Sequence, residues 1–237
     1  MKKEISVLIL ATLPDSGIKS LGSKSFIEIA GIKLIDHQIR TLTKALKNTK
    51  YEIIVLSSFD CNKMIKYINT TYAKRKNIKI IKQEISNLNF GGALIDGFSH
   101  NKYENILSVN YGCCFTTSCI KDLIRDTAIT KIGIIKDINK NLKVGCVREK
   151  TKLEHLFFDI GLEKFTDMFY LNSIAVDYLK SKKNLASNMF TFELLNHLTV
   201  DDKQKIECEE FNKKNFLFLD STSLINKTKR IFNLCLT

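Results

Sequence analysis

A loop of small residues between an apolar segment and a lysine is a way to hold phosphate. The loop Ala11–Lys24 (ATLPDSGIKSLGSK) follows the apolar run Ile5–Ala11 (ISVLILA) and carries Lys19 and Lys24. Successive backbone N–H groups in such a loop can form a concave anion cradle, and a nearby lysine adds charge. The loop is neither a Walker A loop nor a Rossmann fingerprint, because no GK[ST] opens a helix and no GxGxxG occurs. Lys24, at its mouth, reads either as a phosphate ligand or as a solvated side chain.

Other chemistry-bearing residues follow later apolar runs. Gly91 and Gly92 stand at a helix start, as packing and turn residues. Gly112 suits a tight strand-to-loop turn, and the adjacent Cys113 and Cys114 read as packing. No basic residue or histidine lies near them in sequence to lower a thiol pKa. His37, in a helical stretch, reads as a surface or internally satisfied histidine. Asp220, at the end of FLFL, is a hard oxygen donor suited to Mg²⁺, while the following STS suits a helix cap. The seven cysteines show no CxxC pair and no Cys/His spacing for zinc, and are expected to be reduced thiols in a cytoplasmic setting.

The elements that must position these residues alternate. Strands are expected at Ile5–Ala11, Glu52–Ser57, Ile78–Lys82, Ile106–Val109 and Gly133–Lys136. Helices fall between them at Leu34–Leu46, Asn62–Ala73, Gly91–Phe98 and Ser118–Asp126. This rhythm predicts a three-layer α/β/α domain with a mostly parallel, doubly wound sheet. From about Leu142 the pattern loosens into an antiparallel pair, Val144–Arg148 with Leu153–Phe158. Lys164–Tyr170 then leads into a helix at Ser173–Lys180, followed by a helix at Phe190–Leu198, a strand at Phe216–Leu219 and a closing helix at Ser223–Leu234. In an open sheet of this kind, ligands sit beyond the carboxyl ends of the strands. The places to inspect are 12–24, 83–92, 110–115 and 220–222.

The 237 residues contain 44% hydrophobic side chains, enough for a sizeable core, and one proline with no linker-like stretch, so a single domain is expected. The net charge of +12 comes from dispersed lysines. Without clustered basic or aromatic platforms it reads as a contribution to solubility, and nucleic acid is not an expected partner. No membrane span or signal peptide is expected, since Met1–Glu4 leads straight into the first strand.

From Leu10 to Ile39, LATLPDSGIKSLGSKSFIEIAGIKLIDHQI resembles the opening of the sugar-phosphate nucleotidyltransferases, a strand followed by LAAGxGTRLxxLxPK and then aGkpLIdhqi. The spacing from Leu10 to Lys24 is similar without a gap. Gln83 with NFGGAL (Asn89–Leu94) resembles a base-recognition stretch, and LSVNYGCCF (Leu107–Phe115) is similar to LVVNGDVLF. LEKFTDMFYLN (Leu162–Asn172) resembles an acceptor block, and FLDSTSLINKTKRIF (Phe218–Phe232) a closing one. The resemblance implies a nucleotide-binding half (1–140) and an acceptor-binding half (141–237). Lys24 and Lys19 would be catalytic. Nucleotide would be held by Ala11, Thr12, Ser16, Gln83, Asn89, Gly91, Gly92 and Asn110, acceptor by Glu163, Lys164 and Asn172, and Mg²⁺ by Asp220.

The chain departs from that pattern where charge is handled. Leu13 and Asp15 replace two glycines, Gly17 replaces the triphosphate-clamping arginine, and Gly112 replaces the metal-binding aspartate. Lys19 is a point-charge substitute for the arginine, and Asn110 a neutral ligand. The reading favours a divergent nucleotidyltransferase using an NTP and a small phosphorylated acceptor. The alternative is an inactive binding or assembly module of the same fold. A homodimer is left open.

Overall fold

The computed structural model describes residues 3–11, 24–58, 61–83, 90–136, 144–159, 161, 163–186, 188–200 and 204–219, those at 185–186 by backbone alone. The strand β1 (Glu4–Ala11) has every residue buried but the first. Its side chains alternate between two cores: Val7 and Ile9 enter one, Leu8 and Leu10 the other. That two-sided burial is why the run reads as continuously apolar rather than alternating. After a 3₁₀ turn at Lys24–Phe26, the hairpin β2 (Glu28–Ile29) and β3 (Ile32–Lys33) leads into α1 (Leu34–Ala45). Then come β4 (Lys50–Ser57), α2 (Cys61–Thr71), β5 (Ile78–Lys82), α3 (Phe90–Gly97) and β6 (Ile106–Asn110).

The second half begins with β7 (Cys113–Phe115), α4 (Thr117–Leu123) and β8 (Thr130–Lys136), followed by β9 (Val144–Glu149), β10 (Lys152–Phe158) and β11 (Glu163–Leu171). Helices α5 (Ser173–Ser181), α6 (Lys183–Ala186) and α7 (Thr191–Val200) precede β12 (Ile206–Glu210) and β13 (Phe216–Phe218). The main sheet has the order β5-β4-β1-β6-β11-β8-β12-β10-β9. The first four strands in that order are mutually parallel, so Ala11, Ser57, Lys82 and Asn110 share one edge. Strand β11 runs antiparallel to both β6 and β8. Because β9 also pairs with β11, the strands β11, β8, β12, β10 and β9 close a ring at the far end.

Helices cover both faces, as the alternating pattern predicts. α1, α2 and α4 send Ile39, Met64 and Ile120 into one core. α3, α5 and α7 send Leu94, Val176 and Leu195 into the other. The expected antiparallel pair is β9 with β10. The strand β12 was not expected: IECEE sends only Ile206 and Cys208 inward, too short an alternation among charges to stand out. The expected last strand, β13, lies outside the main sheet and pairs with β7. The expected closing helix at Ser223–Leu234 lies outside the described residues.

Candidate functional site

The shared carboxyl edge of β1 and β6 is the centre of the site. Lys24 is the first residue of the 3₁₀ turn and is only 3% exposed, so it is a buried lysine rather than a solvated one. Its side chain crosses Gly112: a Cβ built there would stand 3.1 Å from Lys24 Cδ, 3.4 Å from Lys24 Nζ and 3.2 Å from Asn110 Oδ1. A side chain at 112 would make Lys24 and Asn110 give way by a few tenths of an ångström. The turn joining β6 to β7 is held rigidly. Asn110 Oδ1 accepts from the Gly112 N–H at 2.7 Å. Buried Gln38 on α1 donates through Nε2 to the carbonyls of Asn110 and Cys113, at 2.9 and 2.8 Å. The Leu219 N–H closes the turn on Gly112 O at 2.8 Å.

A carboxylate reaches this centre from the next strand. Asp167 on β11 accepts from Asn110 Nδ2 at 3.4 Å. Cys113, fully buried beneath, donates its thiol to Asn110 O at 3.0 Å. Its pKa is raised well above the usual thiol range, first by burial and then by Cys114 and Asp167, with Lys24 opposing. It is therefore a packing residue and not a nucleophile. His37 is also buried, and burial lowers its pKa to about 4, so it stays neutral and is not the surface histidine the sequence allowed.

Gln83, at the end of β5, is 5% exposed. Its Nε2 donates to Ala93 O and Asp96 Oδ2, both at 3.0 Å, which fixes the amide with Oε1 on the other side. Gly91 is engaged in packing. Its N–H donates to Met189 O at 3.1 Å, and a Cβ there would stand 2.4 Å from the same oxygen. It is the close-packing point between α3 and the segment before α7. Gly92 is buried within α3.

On the acceptor side, Lys164 is buried with its Nζ over the Phe218 ring, 4.2 Å from the centroid. Glu163 is occupied by Arg148 in a bidentate pair, at 2.7 Å from Nε and 2.6 Å from Nη2. The same Arg148 reaches Glu210 at 3.1 Å, and Lys136 joins at 3.3 Å, so a charged rim runs beyond the ends of β8 and β12. Asn172 is not brought to the site. It follows Leu171, which pairs with Ile106 at the start of β6, the opposite edge of the sheet from Asn110. There it caps α5, accepting from the Ala175 N–H at 2.9 Å and donating to Ala128 O at 2.7 Å.

Thr12, Ser16, Lys19, Asn89 and Asp220 lie outside the described residues, and Ala11 closes β1 at the shared edge. Among the described residues, no group of three or more His, Cys, Asp or Glu side chains is placed to hold a metal. Asp167 brings a carboxylate to the centre, whereas Asn110 turns its Nδ2 towards that carboxylate and its Oδ1 accepts from the Gly112 N–H.

The architecture is shared with solved structures. An inositol-1-phosphate CTP transferase from T. maritima superposes with a TM-score of 0.79 at 14% identity, covering 98% of this chain and 95% of that one. The fold is that of the sugar-phosphate nucleotidyltransferases. A nucleoside-diphosphate-sugar pyrophosphorylase from Vibrio cholerae gives a TM-score of 0.72 at 14% identity over 95% of this chain and 99% of that one. A CTP:phosphocholine cytidylyltransferase from Streptococcus pneumoniae gives 0.70 at 11% over 96% and 98%. At these identities the likeness is one of fold. No protein-family model matches the chain, and no curated protein matches it by sequence. Among the described residues, no helix of this nucleotidyltransferase fold is long and apolar enough to cross a membrane.

Proposed function

We propose that the chain is a divergent nucleotidyltransferase that moves a nucleoside monophosphate from an NTP to a small phosphorylated acceptor. An acceptor phosphate oxygen attacks the α-phosphorus, the bond to the β-phosphate oxygen breaks, and pyrophosphate leaves. The observation that carries this reading is Lys24, a buried lysine held at the carboxyl edge of β1 and β6. A fixed positive charge in a low-dielectric site stabilises charge developing on a phosphoryl group without reorganisation at the moment of reaction. Catalysis of this kind needs positioning and charge neutralisation rather than a nucleophile, in keeping with the inert Cys113. Asp220 would hold Mg²⁺, which would supply positive charge to neutralise the phosphates. Lys164 and the Arg148–Glu163 rim face the acceptor role, and Lys19 and Asp220 remain proposed partners of the phosphates and the metal.

The acceptors named for the fold neighbours suggest where to begin: inositol 1-phosphate and phosphocholine, with sugar 1-phosphates beside them. The test is pyrophosphate release from each of CTP, UTP, dTTP, ATP and GTP with Mg²⁺ and that panel. Release that depends on one acceptor supports the reading, and silence with every combination sinks it. The filled space over Gly112 favours a second reading, a binding module that holds nucleotide without turnover. It expects NTP binding by calorimetry alongside that silence.

A further inference from the structure

Two buried thiols away from the transfer centre lie in contact. Cys146 on β9 and Cys208 on β12 are each 4% exposed, and their Sγ atoms stand 3.8 Å apart. Their strands are neighbours in space without being partners in the sheet. β9 pairs with β10 and β11, and β12 with β8 and β10, so among the described residues no ladder joins β9 to β12. Side chains make that link. Residues two apart on a strand share a face, so Arg148 follows Cys146 on β9 and Glu210 follows Cys208 on β12. Arg148 Nη2 meets Glu210 Oε2 at 3.1 Å, two residues beyond the thiol contact on each strand. The same Arg148 holds Glu163. The geometry points to Cys146 and Cys208 as a redox latch, a thiol pair that closes into a disulfide beneath the charged rim and reopens on reduction. Its effect on the acceptor rests on the nucleotidyl-transfer reading above.

The oxidant that suits a buried pair is a small peroxide. One cysteine, as its thiolate, attacks a peroxide oxygen; the O–O bond breaks, the departing hydroxide takes up a proton as water, and a sulfenic acid remains. The second thiol attacks that sulfur, the S–OH bond breaks, another water leaves and the S–S bond forms. The two thiols give up two protons and two electrons, and the peroxide becomes two waters. A disulfide sets its sulfurs about 2 Å apart, so this pair must close by roughly 1.8 Å. In the reduced state the hydrogen bond with Cys146, and then burial, raise the Cys208 pKa above the usual thiol range, with Arg148 opposing. The pair therefore resists stray oxidation, and forming the thiolate is the slow step. The bond would join positions 62 apart in sequence, a loop long enough to restrict the unfolded chain and stabilise the fold.

The test treats the native full chain with hydrogen peroxide, blocks the remaining thiols with iodoacetamide in denaturant, and maps cystine by mass spectrometry of a non-reduced digest. A Cys146–Cys208 cystine is expected. The melting temperature should rise by about 5 °C or more and return on treatment with dithiothreitol. Cys146→Ala and Cys208→Ala should each abolish both the cystine and the rise. Oxidation should change the acceptor KM by about fivefold or more and leave the NTP KM level. A pair that stays reduced, runs on to sulfinic acid or joins another cysteine overturns the latch. So does a rise in melting temperature that persists in either variant. An acceptor KM indifferent to the cystine overturns its hold on the rim. The two proposals stay separable. Pyrophosphate release without the cystine removes only the latch, and the cystine in a chain that releases none removes only the enzymatic reading.

Discussion

Lys24 and Gly112 are a packed pair, the lysine chain crossing the glycine so that its Nζ lies 3.4 Å from where a Cβ would stand. The lysine stem lies against the glycine at the strand edge, and a side chain at 112 would make it shift by a few tenths of an ångström. Replacing Lys24 by methionine keeps most of the volume and removes the ammonium. Pyrophosphate release should fall by about 100-fold or more, the scale of losing one preorganised charge-stabilising group. The melting temperature should fall, since removing one charged group from a buried site leaves the groups around it uncompensated. Steady-state turnover beside a thermal melt checks both, and full turnover by Lys24→Met would remove the lysine from the chemistry.

His37 makes the fold sensitive to acid. Burial is the main cause of its fall from 6.5 to about 4; a backbone hydrogen bond with Phe115 works the other way and Arg40 adds to the lowering. The unfolded chain therefore binds this proton more readily than the folded one. The stability tied to neutral His37 is complete above pH 6.5 and is lost as the pH falls from 6.5 towards 4. The whole effect is roughly 3 kcal/mol at most for a shift of this size. Urea unfolding at pH 7, 6, 5 and 4 should show this slope, and His37→Gln should flatten it. An unchanged slope in the variant would place the acid sensitivity elsewhere.

Gly91 couples α3 to the segment before α7. A methyl group at 91 would meet Met189 O at 2.4 Å, a backbone atom that cannot swing aside, and would also press on Leu194 Cδ1 at 2.9 Å. Gly91→Ala should cost about 1–3 kcal/mol in chemical denaturation, as overpacking of a tight contact does. It should also weaken NTP binding, because α3 must move away from α7. A variant as stable as the wild type would contradict the packing role.

The layered fold was legible because its signals are local and repeated. The run Ile5–Ala11 and the helical spacing of Ile35, Ile39 and Leu42 each identify an element without help from the rest of the chain, and their order dictates a parallel sheet. The site was less legible, because its geometry comes from contacts across the sequence. Lys24 looks like any lysine at a loop mouth until Gly112, 88 positions on, gives its stem a place to lie. Asp167 sits inside a strand-like run, and only the register against β6 brings it to Asn110. Gln38 had one local hint, a polar side chain on the buried face of α1, but the carbonyls it bridges lie on another element. Glu163 and Asn172 entered together as acceptor ligands because they flank one block, whereas β11 carries them to opposite edges of the sheet.

That separation decides a last pair of outcomes. Asn172→Ala removes the cap of α5, since its Oδ1 holds the Ala175 N–H. It should cost about 1 kcal/mol of stability and leave the acceptor KM unchanged. Glu163 sits in the rim, locked by Arg148 at both oxygens, and that pair is only partly exposed, at 19% and 13%. Glu163→Gln weakens the fork, frees Arg148 towards Glu210, and should raise the acceptor KM several-fold with a smaller effect on the NTP. Kinetics with the acceptor varied at saturating NTP, paired with urea denaturation of both variants, separate the two roles. An acceptor KM that rises in Asn172→Ala and stays level in Glu163→Gln would reverse the assignment and place the acceptor at the opposite edge of the sheet.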